Sequence, residues 1–280
     1  MQSVSVEVIR YDGQEQQELS DVVAIEEPLE IRLAFLDSEG VKTERSVAVT
    51  MRTPGEDTLL AAGFLFSEGL LRDSAAISKI SHCGPFQNGK SYRNIIRIEL
   101  CRDVQVNLES IQRNFFTTSS CGVCGKASIE ALKFIVPKYK DNKIGPIFSN
   151  KNLIEFPEIL RRHQKVFQNT GGLHGAALFN QDCRLLCTME DVGRHNAVDK
   201  LVGEYFLKEK LPLNEHALML SGRISFELIQ KAAMAGIRFV VAIGAPSSLA
   251  IKVAEQFNIT LVGFLRKQKF NVYSGKNRIS

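Results

Sequence analysis

The last hundred residues alternate short apolar runs with helix-like segments, and this alternation restricts the fold more than any other feature. Strand-like runs lie at 217–220, 237–243 and 259–265, separated by helix-like runs at 225–235 and 248–257. A β-α-β-α-β order of this kind predicts a mostly parallel sheet with helices packed on it. The sequence therefore places this part of the chain in the α/β class.

Polar residues follow each of these predicted strands, at 221–223, 245–248 and 264–267. Ligands of open α/β sheets bind at the carboxyl ends of the strands. The first two segments offer hydroxyls and free amides at a helix start, an arrangement that receives phosphate, and cationic side chains in the first and third segments favour anions. We expect a nucleotide-like anionic ligand, although the chain has neither a GxxxxGK[ST] loop nor a GxGxxG fingerprint.

A dense polar stretch, 190–200, precedes this region and joins a predicted strand to a helix. Helix capping by Asp191 and Asn196 accounts for part of it. It does not account for Arg194 and His195 beside a glycine, which are candidates for a binding site. Upstream, we expect a helix over 154–167.

The apolar pattern of the N-terminal third predicts strands at 3–10, 22–35 and 47–51, followed by a helix. Thr53 and Glu56 form the pattern of a capping box at the helix start. Arg52, just before it, is either a surface residue or an anion contact beside the helix N-terminus.

Two cysteines, Cys121 and Cys124, form a CxxC motif among small residues, ahead of a predicted helix over 127–136. A helix start and the adjacent Lys126 both favour the reactive thiolate. From the motif alone a sulfur-carrying pair, a redox disulfide, half of a zinc site and a loop with two incidental thiols all remain open. His82 and neighbouring Cys83 lack further metal ligands at the usual spacing, so a metal site is the less favoured interpretation of this pair.

Length, net charge and cysteine content limit the classes of protein to which this chain can belong. The 280 residues suggest two modest domains, and a net charge of +4 is too small to indicate nucleic-acid binding. We find no apolar run long enough to span a membrane and no signal peptide, so we expect a cytoplasmic protein in which the six cysteines are reduced. Cys83 and Cys101 are interpreted as core or surface thiols, and Cys183 and Cys187 as structural thiols.

Several segments together resemble the formate dehydrogenase accessory sulfurtransferase family, FdhD. The matching segments, in the family's order, lie at 52–57, 63–65, 68–69, 121–125, 170–174, 190–200, 221–225, 245–250 and 260–264. No single segment is decisive, but their joint occurrence is specific.

The resemblance implies a small N-terminal α+β domain over 1–115 and a cytidine-deaminase-like α/β domain over 116–280, with the CxxC loop at its start. It also implies a sulfurtransferase that takes persulfide sulfur from a cysteine desulfurase and passes it to the molybdenum bis(guanine dinucleotide) cofactor. The sulfurated cofactor then serves formate dehydrogenase. A homodimer is expected on the same ground.

On this resemblance Cys121 is the persulfide carrier and Cys124 assists or resolves. The residues expected to bind the cofactor are Arg194, His195, Ser221, Arg223, Phe264, Leu265, Arg266, Lys267, Gln268 and Lys269. A zinc deaminase would need a glutamate two residues after the first-helix histidine and a PCxxC on the second helix. Here His195-Asn196-Ala197 lacks the glutamate and 221–225 lacks both cysteines, so we expect no zinc.

Two other functions remain open from the sequence. A thiol-disulfide oxidoreductase is compatible with the CxxC, although a thioredoxin-like βαβ unit around it is missing. A non-catalytic cofactor chaperone, whose thiols ligate molybdenum without moving sulfur, is harder to exclude.

Overall fold

A computed structural model describes residues 1–37, 39–84, 86–87, 90–91, 93–104, 132–133, 135–139 and 145–280. Within them the chain forms a mixed α/β structure, which confirms the expected fold class. The CxxC motif, the predicted helix over 127–136 for most of its length, and the proposed domain boundary near 115 lie outside the described residues. The boundary and the likeness to cytidine deaminases therefore stay predictions.

The N-terminal part begins with a two-stranded ribbon, β1 (Ser3–Asp12) and β2 (Glu15–Ala24), whose strands pair antiparallel over their whole length. A four-stranded sheet follows in the order β4-β3-β8-β5. Its strands are β3 (Glu27–Leu36), β4 (Lys42–Arg52), β5 (Ile77–His82) and β8 (Ile95–Leu100). A short pair, β6 (Phe86–Gln87) and β7 (Lys90–Ser91), lies between β5 and β8 in sequence.

The second sheet has six strands in the order β10-β9-β11-β12-β13-β14. They are β9 (His174–Phe179), β10 (Leu185–Asp191), β11 (Ala217–Leu220), β12 (Phe239–Ala242), β13 (Thr260–Arg266) and β14 (Lys269–Ser274). Strands β11, β12 and β13 are parallel, as the sequence predicts, and the remaining pairs are antiparallel.

Seven α-helices connect or cover these strands in the part of the chain that the structure describes. They are α1 (Asp57–Ser67), α2 (Asn150–Leu153), α3 (Phe156–His163), α4 (Lys165–Thr170), α5 (Arg194–Leu207), α6 (Phe226–Met234) and α7 (Ser248–Gln256). Alternate residues of the central strands enter two core clusters, one on each face of the six-stranded sheet: Leu218 and Leu220 lie in the larger cluster, and Ala217 and Met219 in the smaller.

The larger cluster also holds the inner face of the four-stranded sheet, so one core joins residues from both ends of the chain. Helices α1 and α5 make the closest contact within it. A Cβ built on Gly63 would lie 1.9 Å from the Asp199 carbonyl oxygen, and one on Gly203 would lie 1.9 Å from that of Leu59. The two glycines therefore let the helices cross with their backbones in contact.

Two local predictions were wrong. Helix α1 begins at Asp57, with Glu56 as its N-cap in the left-handed conformation (φ 51°) and no side-chain cap. The hydroxyl of Thr53 instead accepts a hydrogen bond from the Val192 amide. The expected helix over 154–167 is broken at Gln164, which is buried.

Glu190 explains the break in that helix. Its carboxylate accepts hydrogen bonds from the amides of Val166 (3.1 Å) and Phe167 (2.8 Å), so it caps α4 from a neighbouring strand. This tertiary contact satisfies amides at the new helix start. The local sequence alone cannot indicate it.

Candidate functional site

The carboxyl ends of β11, β12 and β13 lie at one edge of the six-stranded sheet, because these strands are parallel. The antiparallel pairing of β9 with β11 adds the start of β9, and with it His174, to the same edge. Residue 191, at the end of β10, pairs with His174. The predicted binding segments 221–223, 245–248 and 264–267 therefore meet at this edge.

Three helices begin at the edge. Gly193 is the N-cap of α5, Ser225 that of α6 and Ser247 that of α7. The Ser247 hydroxyl accepts a hydrogen bond from the Ala250 amide at 3.2 Å, whereas Ser225 makes no side-chain cap bond. Amides at the start of each helix, together with the helix dipole, favour an anion here.

His195 lies in the first turn of α5 and faces the start of α6. Its Nε2 shares a hydrogen bond of 3.0 Å with the Ser225 hydroxyl and lies 3.8 Å from a carboxylate oxygen of Glu227. Burial, and then the positive charges of Lys231 and Arg194, lower the pKa of His195 to about 4. The imidazole is therefore neutral near pH 7 and offers one donor and one acceptor.

His174 and Ser221 form a second polar pair beside it. The Ser221 hydroxyl accepts a hydrogen bond from the Gly175 amide at 2.8 Å and lies 3.5 Å from His174 Nδ1. Burial is the main cause that lowers the pKa of His174, and the charge of Arg194 adds to it. A Cβ on Gly222 would meet His174 Nδ1 at 3.1 Å and Arg194 Cδ at 3.8 Å, so Arg194 lies against the same loop.

The hairpin between β13 and β14 forms the outer part of the edge. The Phe264 amide donates to the Gly244 carbonyl at 3.1 Å, and the Phe264 side chain is 41% exposed despite its size. Phe264, Lys267 and Gln268 all have positive φ, which turns the chain sharply.

The edge does not present all of the expected binding residues in the same way. Arg223, Arg266, Lys267, Gln268 and Lys269 are exposed, and Arg194, His195 and Ser221 are half-buried. Leu265 is buried in the smaller core cluster. Its side chain supports the hairpin from inside and does not face the surface.

Sequence reasoning missed three groups at this edge. His174, Ser225 and Glu227 each contact a predicted site residue, as described above. His174 follows two glycines in the segment 170–174, but only the antiparallel register of β9 against β11 brings it to the edge.

The rest of the polar stretch 190–200 has a structural role. Asp191 is buried, and its carboxylate accepts from the amides of Gly193 (2.8 Å) and Thr53 (3.3 Å) and from the Asn196 side chain (2.9 Å). Lys200, also fully buried, forms a 2.9 Å ion pair with Asp191. These charges are therefore shielded from solvent, and they join α5 to the N-terminal part.

Arg52 is neither a surface residue nor an anion contact, and both sequence readings were wrong. Its guanidinium is 1% exposed and donates two hydrogen bonds to Asp57, at 2.9 and 3.1 Å. His82 contacts the same carboxylate at 2.9 Å. A bidentate pair of this kind positions the end of β4 against the start of α1.

The four cysteines within the described residues are free thiols. The Cys187 thiol donates a 3.0 Å hydrogen bond to the Glu204 carboxylate. Burial and then this carboxylate raise the pKa of Cys187. Burial also raises the pKa of Cys83 and Cys183. Thiols of this kind are unreactive.

Within the part of the chain that the structure describes, no group of three or more histidine, cysteine or acidic side chains could hold a metal ion. Among the same residues, no helix combines the length and the apolar character needed to cross a bilayer.

Comparisons with known proteins agree with this architecture. A protein named sulfur carrier protein FdhD from Streptomyces coelicolor is 45% identical over 262 residues, covering 93% of this chain and 89% of that protein. One of the same name from Saccharolobus solfataricus is 38% identical, covering 98% of this chain and 96% of that protein.

A crystal structure described as that of a formate dehydrogenase accessory protein from Desulfotalea psychrophila has the same fold, with a TM-score of 0.74 at 24% identity over 100% of both chains. The model of the FdhD/NarQ family matches residues 24–280. With this match and these relatives, the chain belongs to the FdhD/NarQ family.

Proposed function

We propose that this chain is a sulfur carrier that accepts persulfide sulfur from a cysteine desulfurase and delivers it to the molybdenum bis(guanine dinucleotide) cofactor for formate dehydrogenase. The name of its relatives, sulfur carrier protein FdhD, supports the first half. The observation that carries the second half is the convergence of three helix N-termini and several cations at one sheet edge.

Cys121 is the proposed sulfur acceptor. Its thiolate attacks the outer sulfur of the donor persulfide, a new sulfur–sulfur bond forms on Cys121, and the donor cysteine leaves as a thiolate. Cys124 then attacks the inner sulfur of this persulfide. The outer sulfur leaves as hydrosulfide, the oxidation of the two cysteines to the Cys121–Cys124 disulfide supplies the two electrons, and two equivalents of an external thiol reduce that disulfide before the next cycle.

The cofactor is treated as a large anionic substrate with two phosphorylated guanine ends. Phosphate groups suit the starts of α5, α6 and α7, where free amides and the helix dipole favour negative charge. Both Arg223, two residues before the N-cap of α6, and Lys267, directly after β13, are exposed cations. The exposed ring of Phe264 suits stacking against a purine.

Neutral His195 fits this role better than a charged histidine would. Its ring nitrogens and the Ser225 hydroxyl can exchange hydrogen bonds with a base or ribose without a change of protonation near pH 7. We assign the protein to the cytoplasm, where its thiols stay reduced, and expect it to act as a homodimer.

Labelled sulfur tests the proposal. The protein is incubated with a cysteine desulfurase and ³⁵S-cysteine, and the added sulfur is located by peptide mass spectrometry under non-reducing conditions. We expect label on Cys121, lost when the cofactor is added, and no label in Cys121→Ala. Cys101→Ser, which removes a thiol from the far end of β8, is the matched control and should keep the label.

Two other outcomes would contradict the proposal. Cofactor binding without any labelled cysteine would indicate a chaperone that moves no sulfur. A stable Cys121–Cys124 disulfide that exchanges with substrate thiols but never carries label would indicate a thiol-disulfide oxidoreductase.

A further inference from the structure

A buried cation lies on α6, one helical turn behind the binding edge. The Lys231 side chain is 4% exposed, and its ammonium forms ion pairs with Asp199 of α5 (2.9 Å) and with Glu68, the C-cap of α1 (3.2 Å). It also lies 5.5 Å from the centre of the Phe64 ring. Burial opposes this charge, but the two acids outweigh burial and raise the pKa of Lys231. Lys231 is therefore a permanent positive charge inside the fold, and the sulfur chemistry of Cys121 does not use it.

Helices α5 and α6 meet through two layers of polar contacts. In the first layer His195 of α5 contacts Ser225 and Glu227 at the start of α6. In the second layer Asp199 of α5 contacts Lys231 of α6. Asp199 follows His195 by four positions and Lys231 follows Glu227 by four, so the layers lie on the same sides of the two helices, about 6 Å apart. The Lys231 ammonium therefore lies about one helical turn behind the His195 ring.

The other surroundings of the ring also disfavour a second positive charge. His195 lies in the first turn of α5 and against the N-cap of α6, and the helix dipole gives both starts partial positive charge. The charged and titratable groups that face the ring are Lys231 and Glu227 on α6, Arg194 on α5 and His174 on β9. Among these four, Glu227 alone favours protonation of the ring. Its side chain is 58% exposed, so solvent screens it.

Asp199 does not cancel the charge of Lys231 in the pH range where the ring could titrate. Burial raises the pKa of Asp199 to about 6, whereas burial and then Lys231 lower the pKa of His195 to about 4. As pH falls, Asp199 therefore takes up a proton first and loses its negative charge, while Lys231 keeps its positive charge. The cation is thus less compensated at the mildly acidic pH at which a histidine ordinarily becomes charged.

We propose that Lys231 is a positioning residue of the binding edge, whose buried charge keeps the His195 ring neutral for the nucleotide that binds there. A neutral ring offers the ligand one donor and one acceptor. A protonated ring offers donors only and forms an ion pair with Glu227, 3.8 Å away. Lys231 thus sets which hydrogen bonds the edge presents. This inference rests on the proposed nucleotide binding, but the state of the ring can be measured without a ligand.

Two variants break the Lys231–Asp199 ion pair from opposite sides. Lys231→Met removes the cation, whereas Asp199→Asn keeps it. If the ion pair only supports the fold, both variants should change the binding edge in the same way. If the charge of Lys231 acts on the ring, only Lys231→Met should change the titration of His195. Asp199→Asn is therefore the matched control.

NMR of the full-length protein, labelled at histidine and without ligand, follows the ring directly. Its signal is the one that His195→Asn removes. In wild type and in Asp199→Asn we expect no titration of this signal above pH 5. In Lys231→Met we expect a midpoint between about pH 5 and 6, because loss of a unit charge one helical turn away shifts the titration by roughly one to two pH units. A Lys231→Met ring that stays neutral down to pH 5, or an equal shift in Asp199→Asn, would overturn the inference.

A double variant keeps this test decisive if Lys231→Met folds poorly. Lys231→Met leaves Asp199 buried without its cation, which lowers stability. Lys231→Met/Asp199→Asn removes both charges and should fold, as judged by circular dichroism. We expect its ring to titrate with the same raised midpoint as in Lys231→Met. A folded double variant whose ring stays neutral down to pH 5 would contradict the role of the cation.

Calorimetry with guanosine diphosphate connects the ring to binding. The terminal phosphate itself titrates at about pH 6, so each variant is compared with wild type at the same pH. The double variant should match wild type at pH 7.5 and bind at least twofold more weakly at pH 5, where at least half of its rings are protonated. Asp199→Asn should match wild type at both values. Equal affinities at pH 5 would overturn the role of the ring in binding. If wild type does not bind, the proposed nucleotide site is refuted, and the ring titration still decides whether Lys231 acts on His195.

Discussion

Replacing Gly63 with alanine tests the helix crossing that holds the two parts of the chain together. The new Cβ would lie 1.9 Å from the Asp199 carbonyl oxygen and 2.7 Å from the Gly203 amide nitrogen. Both are backbone atoms of α5 and cannot rotate away. To lengthen the distance from the new Cβ to the Asp199 oxygen to an ordinary contact of about 3.4 Å, the helices must separate by about 1.5 Å. A gap of that size removes much of the dispersion energy between them.

The expected cost follows from two opposing terms. Overpacking costs about 1–3 kcal/mol, with rigid backbone obstacles at the upper end. Alanine returns about 1 kcal/mol through its higher helix propensity. We expect a net loss of about 2 kcal/mol in the free energy of unfolding, and a fall in Tm of roughly 4–8 °C.

Urea unfolding followed by far-ultraviolet circular dichroism measures this loss. Gly172→Ala is the matched control, because a Cβ there meets its nearest atom, Ala24 Cβ, at 3.6 Å and φ is not in the left-handed region. We expect the control to stay within about 0.5 kcal/mol of wild type. A Gly63→Ala protein as stable as wild type, or more stable, would refute backbone contact between α1 and α5.

Three further predictions concern charged groups. The pKa of His195 is lowered to about 4 from an unfolded value near 6.5, so its contribution to stability is present above pH 6.5 and lost as pH falls toward 4. For a fully buried ring, a pKa shift of this size changes the free energy of unfolding by about 3 kcal/mol. Because the side chain is 35% exposed, we expect a change of about 1–2 kcal/mol. The variant His195→Asn should flatten this fall in stability, measured by urea titrations at several pH values. Lys200→Met leaves the buried charge of Asp191 without its cation and should lower the free energy of unfolding by about 3–5 kcal/mol, whereas Lys252→Met, at an exposed position of α7, should lower it by under about 0.5 kcal/mol. Arg223→Glu should weaken binding of guanosine diphosphate at least fivefold by calorimetry, while Arg161→Glu, at an exposed position of α3, leaves it unchanged; equal affinities would contradict the assignment of the edge.

The order of elements in the C-terminal part could be predicted from the sequence, because its signals are local. Strands β11 and β12 are four-residue apolar runs that the structure buries completely, and Gly236 has the left-handed φ of 75° that ends the preceding helix. The position of the binding edge could be predicted in the same way, because the carboxyl ends of parallel strands lie at one edge of the sheet.

Contacts between distant segments could not be predicted. Glu190 breaks a helix pattern by capping α4 across the fold, and Thr53 bonds to Val192 in place of its expected capping role. Each partner is chosen by tertiary proximity, which periodicity does not encode. His174 joins the edge for the same reason, through the register of β9.

The motif residues divide into two physical classes that look alike in sequence. Arg52, Asp57, Asp191 and Lys200 are buried charges satisfied by one another, by neighbouring side chains such as His82 and Asn196, and by specific backbone groups. Such a pair tolerates replacement of one partner as poorly as a catalytic group does, because the remaining charge is left without compensation. A motif rich in charge is therefore no evidence of a ligand until burial and partners are known.

Replacements of the buried charges and of the exposed residues at the edge should lower measured activity for different reasons. Replacements among the buried charges should lower the amount of folded protein and leave the activity of each folded molecule near wild type. Replacements at the exposed edge, such as Arg223 or Lys267, should leave folding intact and lower ligand affinity. Activity normalised to the folded fraction separates the two classes. A buried-pair variant that folds fully yet transfers no sulfur would place that pair in the chemistry instead.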